Sequence, residues 1–241
     1  MDQSLTTRTV LVTGANGGLG EQFVLQALER GARKVYAAAR RPKQWADPRV
    51  QPLMLDLTDP HHAARAAADA PDVDLLVNNA GTAPADDSIA GPEEGLRAVF
   101  ETNFFGTLRV ANAFAPVLAT HGGGTLLNVL SAAAWINIPT GYAASKAAMW
   151  SATNALRVQL RGQGTQVVGL LVGMVDTPMS QHWDVPKVTA GSVVSQAYDG
   201  VADGSLEVLA DDTTRELKSR LDTPAEELYP WLEEHLTALL A

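Results

Sequence analysis

Apolar residues in this chain gather into short continuous runs rather than alternating with polar ones. The runs are "TVLVTG" (9–14), "KVYAAA" (34–39), "VQPLMLDL" (50–57), "VDLLVNNAG" (73–81), "GTLLNVLS" (124–131), "TQVVGLLVG" (165–173) and "LEVLA" (206–210), each bounded by turn residues. Continuous runs of this length read as strands covered on both faces, the condition of strands in a parallel sheet. Between them the pattern changes to helical spacing, in stretches 18–31, 60–70, 92–122, 142–162 and 189–204. In the first of these, Phe23, Val24, Ala27 and Leu28 form one apolar stripe and Gly31 is placed to end the helix. Strand and helix alternate almost throughout. The expected fold is α/β, a doubly wound, seven-stranded parallel sheet of the Rossmann type with helices on both faces.

No composition shift, low-complexity linker or repeat divides residues 1–241, so a single domain is expected. The last stretch, 223–241, carries Leu228, Trp231, Leu232, Leu236 and Leu239 at helical spacing and predicts an amphipathic helix broken near Pro230, packed on its own domain.

Composition narrows the function. At 241 residues and 46% hydrophobic, the chain has material for a sizeable core. A net charge of −9 argues against a nucleic-acid binder, which gains affinity from clustered cations. With no cysteine, disulfides, thiolate chemistry and Cys-ligated metals are excluded together. His61 and His62 are adjacent and point apart on a helix, a poor chelating pair, so no metal is expected. The first residues do not read as a signal or transit peptide and no run approaches membrane-spanning length, which makes a cytoplasmic, non-membrane protein the expectation.

Four glycines in "TGANGGLG" (13–20) stand between the first strand and the first helix. Glycine weakens both elements, so the cluster calls for a sharply bent backbone that something approaches closely. A helix N-terminus behind such a turn suits a pyrophosphate. A ligand-free tight turn is the bland alternative. The further motifs decide: "NNAG" (78–81) after the fourth strand, Asn103 in the following helix, Ser131 at the end of the fifth strand, and "YAASK" (142–146). In this order and on these elements, the chain resembles the short-chain dehydrogenase/reductase family in its single-domain TGxxxGxG/YxxxK branch.

That resemblance implies a dinucleotide held by Gly14, Asn16, Gly18, Leu19, Gly20, Arg40, Asp56, Leu57, Asn79, Ala80, Gly81, Tyr142, Lys146, Val175 and Thr177. Asn78, Ala80 and Gly81 are expected along the adenosine ribose. The second strand ends in Ala39 where NAD-dependent members usually carry Asp, and Arg40 follows, with Arg41 and Lys43 behind it. A guanidinium grips a phosphate through two hydrogen bonds, so Arg40 is the expected 2′-phosphate ligand. NADP(H) is the expected cofactor, with NAD(H) as a weaker alternative. Solvated surface cations are the bland reading of the same residues.

Tyr142 and Lys146 are one helical turn apart and share a face. By resemblance, Ser131, Tyr142, Lys146 and Asn103 are the catalytic set. Tyr142 is the general acid or base toward a carbonyl or alcohol oxygen, and Ser131 hydrogen-bonds the same oxygen. Lys146 lowers the Tyr pKa and binds ribose, while Asn103 fixes a water leading to Lys146. Val172 stands where relatives have Pro, which predicts a looser turn before Thr177. The region 177–204 occupies the place of a substrate lid, and Met174, Met179, His182 and Trp183, with Trp135 and Ile136 opposite, suggest an apolar pocket for a small carbonyl or alcohol substrate. The resemblance also implies a homodimer or homotetramer through the helices from 92 and 142. The rival classes are a non-catalytic NAD(P)-binding sensor or scaffold, which should lack part of the triad, and an extended-branch epimerase or dehydratase, which should show TGxxGxxG.

Overall fold

The computed structural model describes residues 5–120, 122–136 and 138–240, with side chains described as far as residue 235. In chain order the elements are β1 (Thr9–Thr13), α1 (Gly18–Glu29), β2 (Lys34–Ala39), β3 (Val50–Met54), α2 (His62–Asp69), β4 (Leu75–Asn78), α3 (Glu93–Phe100), a π-helical turn (Glu101–Gly106), α4 (Thr107–Thr120), β5 (Thr125–Val129), α5 (Gly141–Gln159), β6 (Gln166–Leu171), β7 (Val175–Asp176), β8 (Val188–Thr189), α6 (Ala190–Ala202), β9 (Glu207–Leu209), α7 (Asp212–Ser219) and α8 (Ala225–Leu240).

Seven strands form one sheet in the order β3-β2-β1-β4-β5-β6-β9, and every pairing is parallel. Alternate residues of one strand serve opposite faces: Val10 and Val12 join the core under α1 and α6, while Leu11 joins the core under α2, α4 and α5. This two-sided burial is why the strands read as unbroken apolar runs. The order of winding reverses between β1 and β4, and a crevice opens beyond the carboxyl ends of strands at such a point. Both the glycine-rich turn and "NNAG" emerge there.

Three elements depart from the sequence expectation. The helix expected over 92–122 is divided by the π turn, whose extra residue carries Asn103 inward. Gly106 closes the turn because a Cβ there would lie 2.6 Å from the Leu57 carbonyl oxygen. Pro230 does not break the terminal helix: α8 runs through it, with Leu228, Trp231 and Leu232 packed toward Leu217 and Ile136. Proline sacrifices one backbone hydrogen bond, and this packing outweighs the loss. Leu236 and Leu239 lie on α8 beyond the described side chains. Finally α7, absent from the hydrophobic pattern, is set by Asp211, whose Oδ1 accepts the N–H of Thr214 at 2.8 Å.

Candidate active site

At the β1–α1 turn, Gly14 and Gly18 have φ of +67° and +56°, values that favour glycine. Gly20 is required by space, since a Cβ on it would meet the Gly14 carbonyl oxygen at 2.0 Å. No side chain caps the start of α1 at Gly17, so the leading N–H groups of the helix remain available to an anion. From the neighbouring strand, Asn79 Nδ2 donates to the carbonyls of Thr13 at 2.8 Å and Gly14 at 3.3 Å, while Thr13 Oγ1 accepts from the N–H groups of Asn79 and Ala80, both at 3.0 Å. The two motifs thus hold one another. Asn78 faces away from the expected ribose position: it is buried and donates to Asn128 Oδ1 at 3.0 Å, and Asn128 in turn donates to Thr153 Oγ1 at 3.0 Å. Successive strand residues point to opposite faces, so of these two asparagines Asn79 is the one that reaches the glycine turn.

Beyond β2 the cations divide. Arg40 and Arg41 are exposed, and among the described residues neither guanidinium has a hydrogen-bond or ion-pair partner. Lys43 is engaged: its Nζ donates to the Asn16 carbonyl at 3.2 Å, pairs with Glu21 and lies 4.3 Å from the centre of the Trp45 ring. Asn16 Nδ2 completes this clasp by donating to the Arg41 carbonyl at 2.8 Å. Asp56 Oδ1 accepts from the Thr58 N–H at 2.9 Å and Oγ1 at 2.8 Å. Those bonds, together with the charge of Arg40, hold its carboxyl below the usual range despite burial. The Asp56 N–H is taken by His62 Nδ1 at 3.0 Å. Among the described residues no group of three potential metal-binding side chains occurs.

The residues expected at the reacting end gather at the head of α5. Thr140 caps the helix by accepting from the Ala143 N–H at 3.1 Å. The Ser131 hydroxyl acts on the Tyr142 phenol, and its Oγ accepts the Ala133 N–H at 3.1 Å. Lys146 is buried, donates to the Val129 carbonyl at 2.9 Å and stands 5.7 Å from the centre of the Tyr142 ring. The sequence reading expected this lysine to lower the Tyr pKa, yet burial dominates. It pushes the Tyr142 phenol up, the Ser131 hydroxyl opposes it, and loss of water lowers Lys146 from 10.5 to about 8. Asn103 is fully engaged: Nδ2 donates to the Thr82 carbonyl at 2.9 Å and Ser145 Oγ at 3.0 Å, and Oδ1 accepts from the Thr82 N–H at 2.8 Å. The space a Cβ on Gly81 would occupy lies 3.3 Å from Asn103 Oδ1 and 3.7 Å from Lys146 Nζ. Glycine therefore leaves an opening between these two groups.

The turn after β6 is firm despite Val172. The Gly173 N–H donates to Asp211 Oδ2 at 2.7 Å, and the Val172 carbonyl accepts from Ala132 at 3.0 Å. Thr177 then comes over the glycine turn, its Cγ2 3.4 Å from where a Cβ on Gly18 would lie. Within 177–204, α6 packs Val193, Val194, Ala197 and Tyr198 into the core, which confines the irregular segment to 177–187. Met179 and Trp183 are exposed there, with Trp183 stacked obliquely on His182. Trp135 and Ile136 do not face them. Trp135 packs edge-on against Trp150 with Lys218 over both rings, and Ile136 joins Leu217 and Leu232. The C-terminal helices supply the apolar surface that draws these two residues away.

Residues 8–187 match the profile of the short chain dehydrogenase family. The chain belongs to that family. Members are oxidoreductases, and the seven-stranded parallel sheet is theirs. A 1-deoxy-11-beta-hydroxypentalenate dehydrogenase of Streptomyces exfoliatus is 35% identical over 215 residues, covering 81% of this chain and 77% of that protein. The crystal structure of a short chain dehydrogenase from Burkholderia cenocepacia in complex with NADP superposes with a TM-score of 0.88 at 35% identity, covering 95% of this chain and 99% of the other. The NADPH-dependent 1-acyldihydroxyacetone phosphate reductase of Saccharomyces cerevisiae is 28% identical over 202 residues, or 78% of this chain and 67% of its own length.

Sequence reasoning missed Asp87, Ser145, Thr82 and Asp211, all of which brace this dehydrogenase site. Ser145, inside "YAASK", was the most accessible of them: it is one residue before Lys146 and caps back onto the Tyr142 carbonyl at 2.7 Å.

Proposed function

We propose that this dehydrogenase uses NADP(H), and NAD(H) less well, to interconvert a small, largely apolar carbonyl compound and its secondary alcohol. The observation that carries the reading is the convergence of three side chains, the Ser131 hydroxyl acting on the Tyr142 phenol and Lys146 Nζ 5.7 Å from the centre of its ring, at the mouth of a crevice headed by the glycine turn. Gly14, Gly18, Leu19 and Gly20 would hold the pyrophosphate. Arg40 would take the 2′-phosphate, Asp56 and Leu57 would border the adenine, and Ala80, Gly81, Lys146, Val175 and Thr177 would line the nicotinamide half. The bound cofactor supplies or accepts the hydride, chemistry that is its own.

The protein manages the proton. A phenol raised by burial stays protonated at neutral pH, the state required to donate to a carbonyl oxygen as that oxygen gains charge. Ser131 offers a second hydrogen bond to the same oxygen. Once the phenol has given up its proton, the buried ammonium of Lys146 favours the phenolate until it is reprotonated. A water on that route would sit between Asn103, Gly81 and Lys146, where the absence of a side chain on Gly81 leaves the two polar groups uncovered. The relatives named above act on a hydroxylated substrate or carry NADPH dependence in their names, which supports the same reading. One domain and a homo-oligomer joined through α4 and α5 belong to the proposal.

The test follows NADPH and NADH absorbance against a panel of apolar ketones, and NADP⁺ reduction against the matching alcohols. Substrate-dependent turnover that favours the phosphorylated cofactor is expected. Tight NADP⁺ binding by calorimetry, with no turnover across the panel in either direction, would make the protein a nucleotide sensor.

A further inference from the structure

One carboxylate near the reacting end has no counterpart in the proposed machinery. Asp87 is 3% exposed, and among the described residues no Lys, Arg or His pairs with it. Its Oδ2 accepts the backbone N–H of Tyr142 at 2.6 Å, and its own carbonyl accepts the N–H of Gly141 at 2.6 Å. A buried, cation-free carboxylate is costly unless strong donors face it. Here the donors are the unsatisfied N–H groups and positive pole at the start of a nineteen-residue helix.

Capping alone does not require this residue, because Thr140 already caps α5 from the adjacent position. Asp87 comes from 55 residues earlier in the chain, in the loop that follows "NNAG". That loop is fixed to the site at two points. Thr82 is bonded at both its N–H and carbonyl to Asn103, and Asp87 is bonded to the residue that carries the phenol. A bridge between Ser88 and Thr140 and a bond from the Ile89 N–H to the Pro139 carbonyl at 2.9 Å seal the same seam. Gly141 permits the approach, since a Cβ there would meet Leu96 Cδ2 at 2.9 Å and crowd Asp87.

We propose that Asp87 is a positioning residue that fixes where the head of α5 presents the Tyr142 hydroxyl relative to Ser131 and Asn103. The proposal rests on Tyr142 being the proton donor. Asp87 touches no reacting atom; it holds the backbone from which the phenol projects, and misplacement of a reacting group by about 1 Å costs on the order of 100-fold in rate.

The experiment compares the parental enzyme with Asp87→Asn, Asp87→Glu and Asp87→Ala in three measurements: kcat and KM, thermal melting, and the ring carbon signal of Tyr142 in protein labelled with ¹³C-tyrosine. That signal is assigned by its loss in Tyr142→Phe. Asn retains an oxygen that accepts from the Tyr142 N–H, and is expected to keep kcat within about threefold. Glu, one methylene longer, and Ala are expected to lower kcat by about 100-fold with little change in KM, and to move the ring signal. A parental kcat and unmoved signal in the Glu or Ala variant would overturn the proposal. So would losses in all three variants that merely follow their melting temperatures. If Ala does not fold, the contrast of Asn with Glu carries the same decision. The ring signal needs no substrate, so failure of the proton-donor reading would show as unchanged turnover in Tyr142→Phe and leave the positioning result separately readable.

Discussion

The two ends of the crevice are built on opposite plans. At the reacting end Ser131, Lys146 and Asn103 are buried and held by hydrogen bonds to protein groups, and Tyr142 is half-buried. At the far end Arg40 and Arg41 stand in solvent, and among the described residues their guanidinium groups form no hydrogen bond or ion pair. Burial moves pKa values and fixes geometry, so the first end governs rate. An exposed cation is screened and free to swing, so the second end is expected to contribute affinity and choice of cofactor.

The largest effect should come from breaking the buried end. Tyr142→Phe removes the phenol and leaves the ring. Turnover is expected to fall by about 10²- to 10⁴-fold with the KM for NADPH nearly unchanged, as measured by steady-state kinetics. Parental turnover would remove the proton-donor role and with it the contrast between the ends.

Lys146 tests the electrostatic side of the same end. Its pKa is lowered to about 8 by burial, below the 10.5 ordinary for the unfolded chain. Between those values the unfolded state binds more protons than the folded one, so this group makes stability rise with pH across that window and contributes a constant penalty below it. The rise amounts to about 3 kcal/mol at most. Tyr142, raised by burial, opposes it above its ordinary value of 10. Denaturant unfolding at pH 7 to 10 should therefore show increasing stability in the parent and a flatter profile in Lys146→Met. An unchanged slope would mean that the ammonium is not desolvated.

Arg40→Asp probes the open end. Replacing a charge-assisted phosphate ligand with a carboxylate is expected to shift the NADPH to NADH ratio of kcat/KM by about 10- to 100-fold toward NADH. Its kcat with the preferred cofactor should stay close to parental. A ratio that does not move would refute the phosphate role.

The difference between the ends also explains what the sequence disclosed. The seven strands were legible because two-sided burial leaves continuous apolar runs, and the glycine turn was legible because steric need admits one residue type. Spacing placed Tyr142 and Lys146 on one helical face, and the order of motifs resembling the family pointed to them with Ser131 and Asn103 as the expected catalytic set. Asp87 did not: it neighbours Asp86 in "PADDSIAGPEE", and local pattern gives no reason why Asp86 is exposed and Asp87 buried. Its role depends on a helix head 55 residues away. The packing of Trp135 was illegible for a related reason, since α7 and α8 supply neighbours of it and α7 leaves no apolar stripe. Long-range contacts made by polar residues carry no periodic signal.

The smallest effect belongs to Lys43, and it sharpens the comparison most. By sequence, Lys43 belongs to the same basic cluster as Arg40. In the fold it is bound to Glu21 and the Asn16 carbonyl and lies on Trp45, so its charge is already committed to the glycine loop. With the Lys43 and Glu21 side chains 37% and 41% exposed, the pair is worth about 1 kcal/mol or less. Lys43→Met is therefore expected to raise the KM for NADPH and NADH together, each by about fivefold at most, and to leave their ratio near parental. A loop clasp weakens both cofactors alike, whereas a phosphate ligand separates them. A ratio that fell as far as in Arg40→Asp would show Lys43 leaving Glu21 for the cofactor, and would place both cations in one mobile phosphate-binding group.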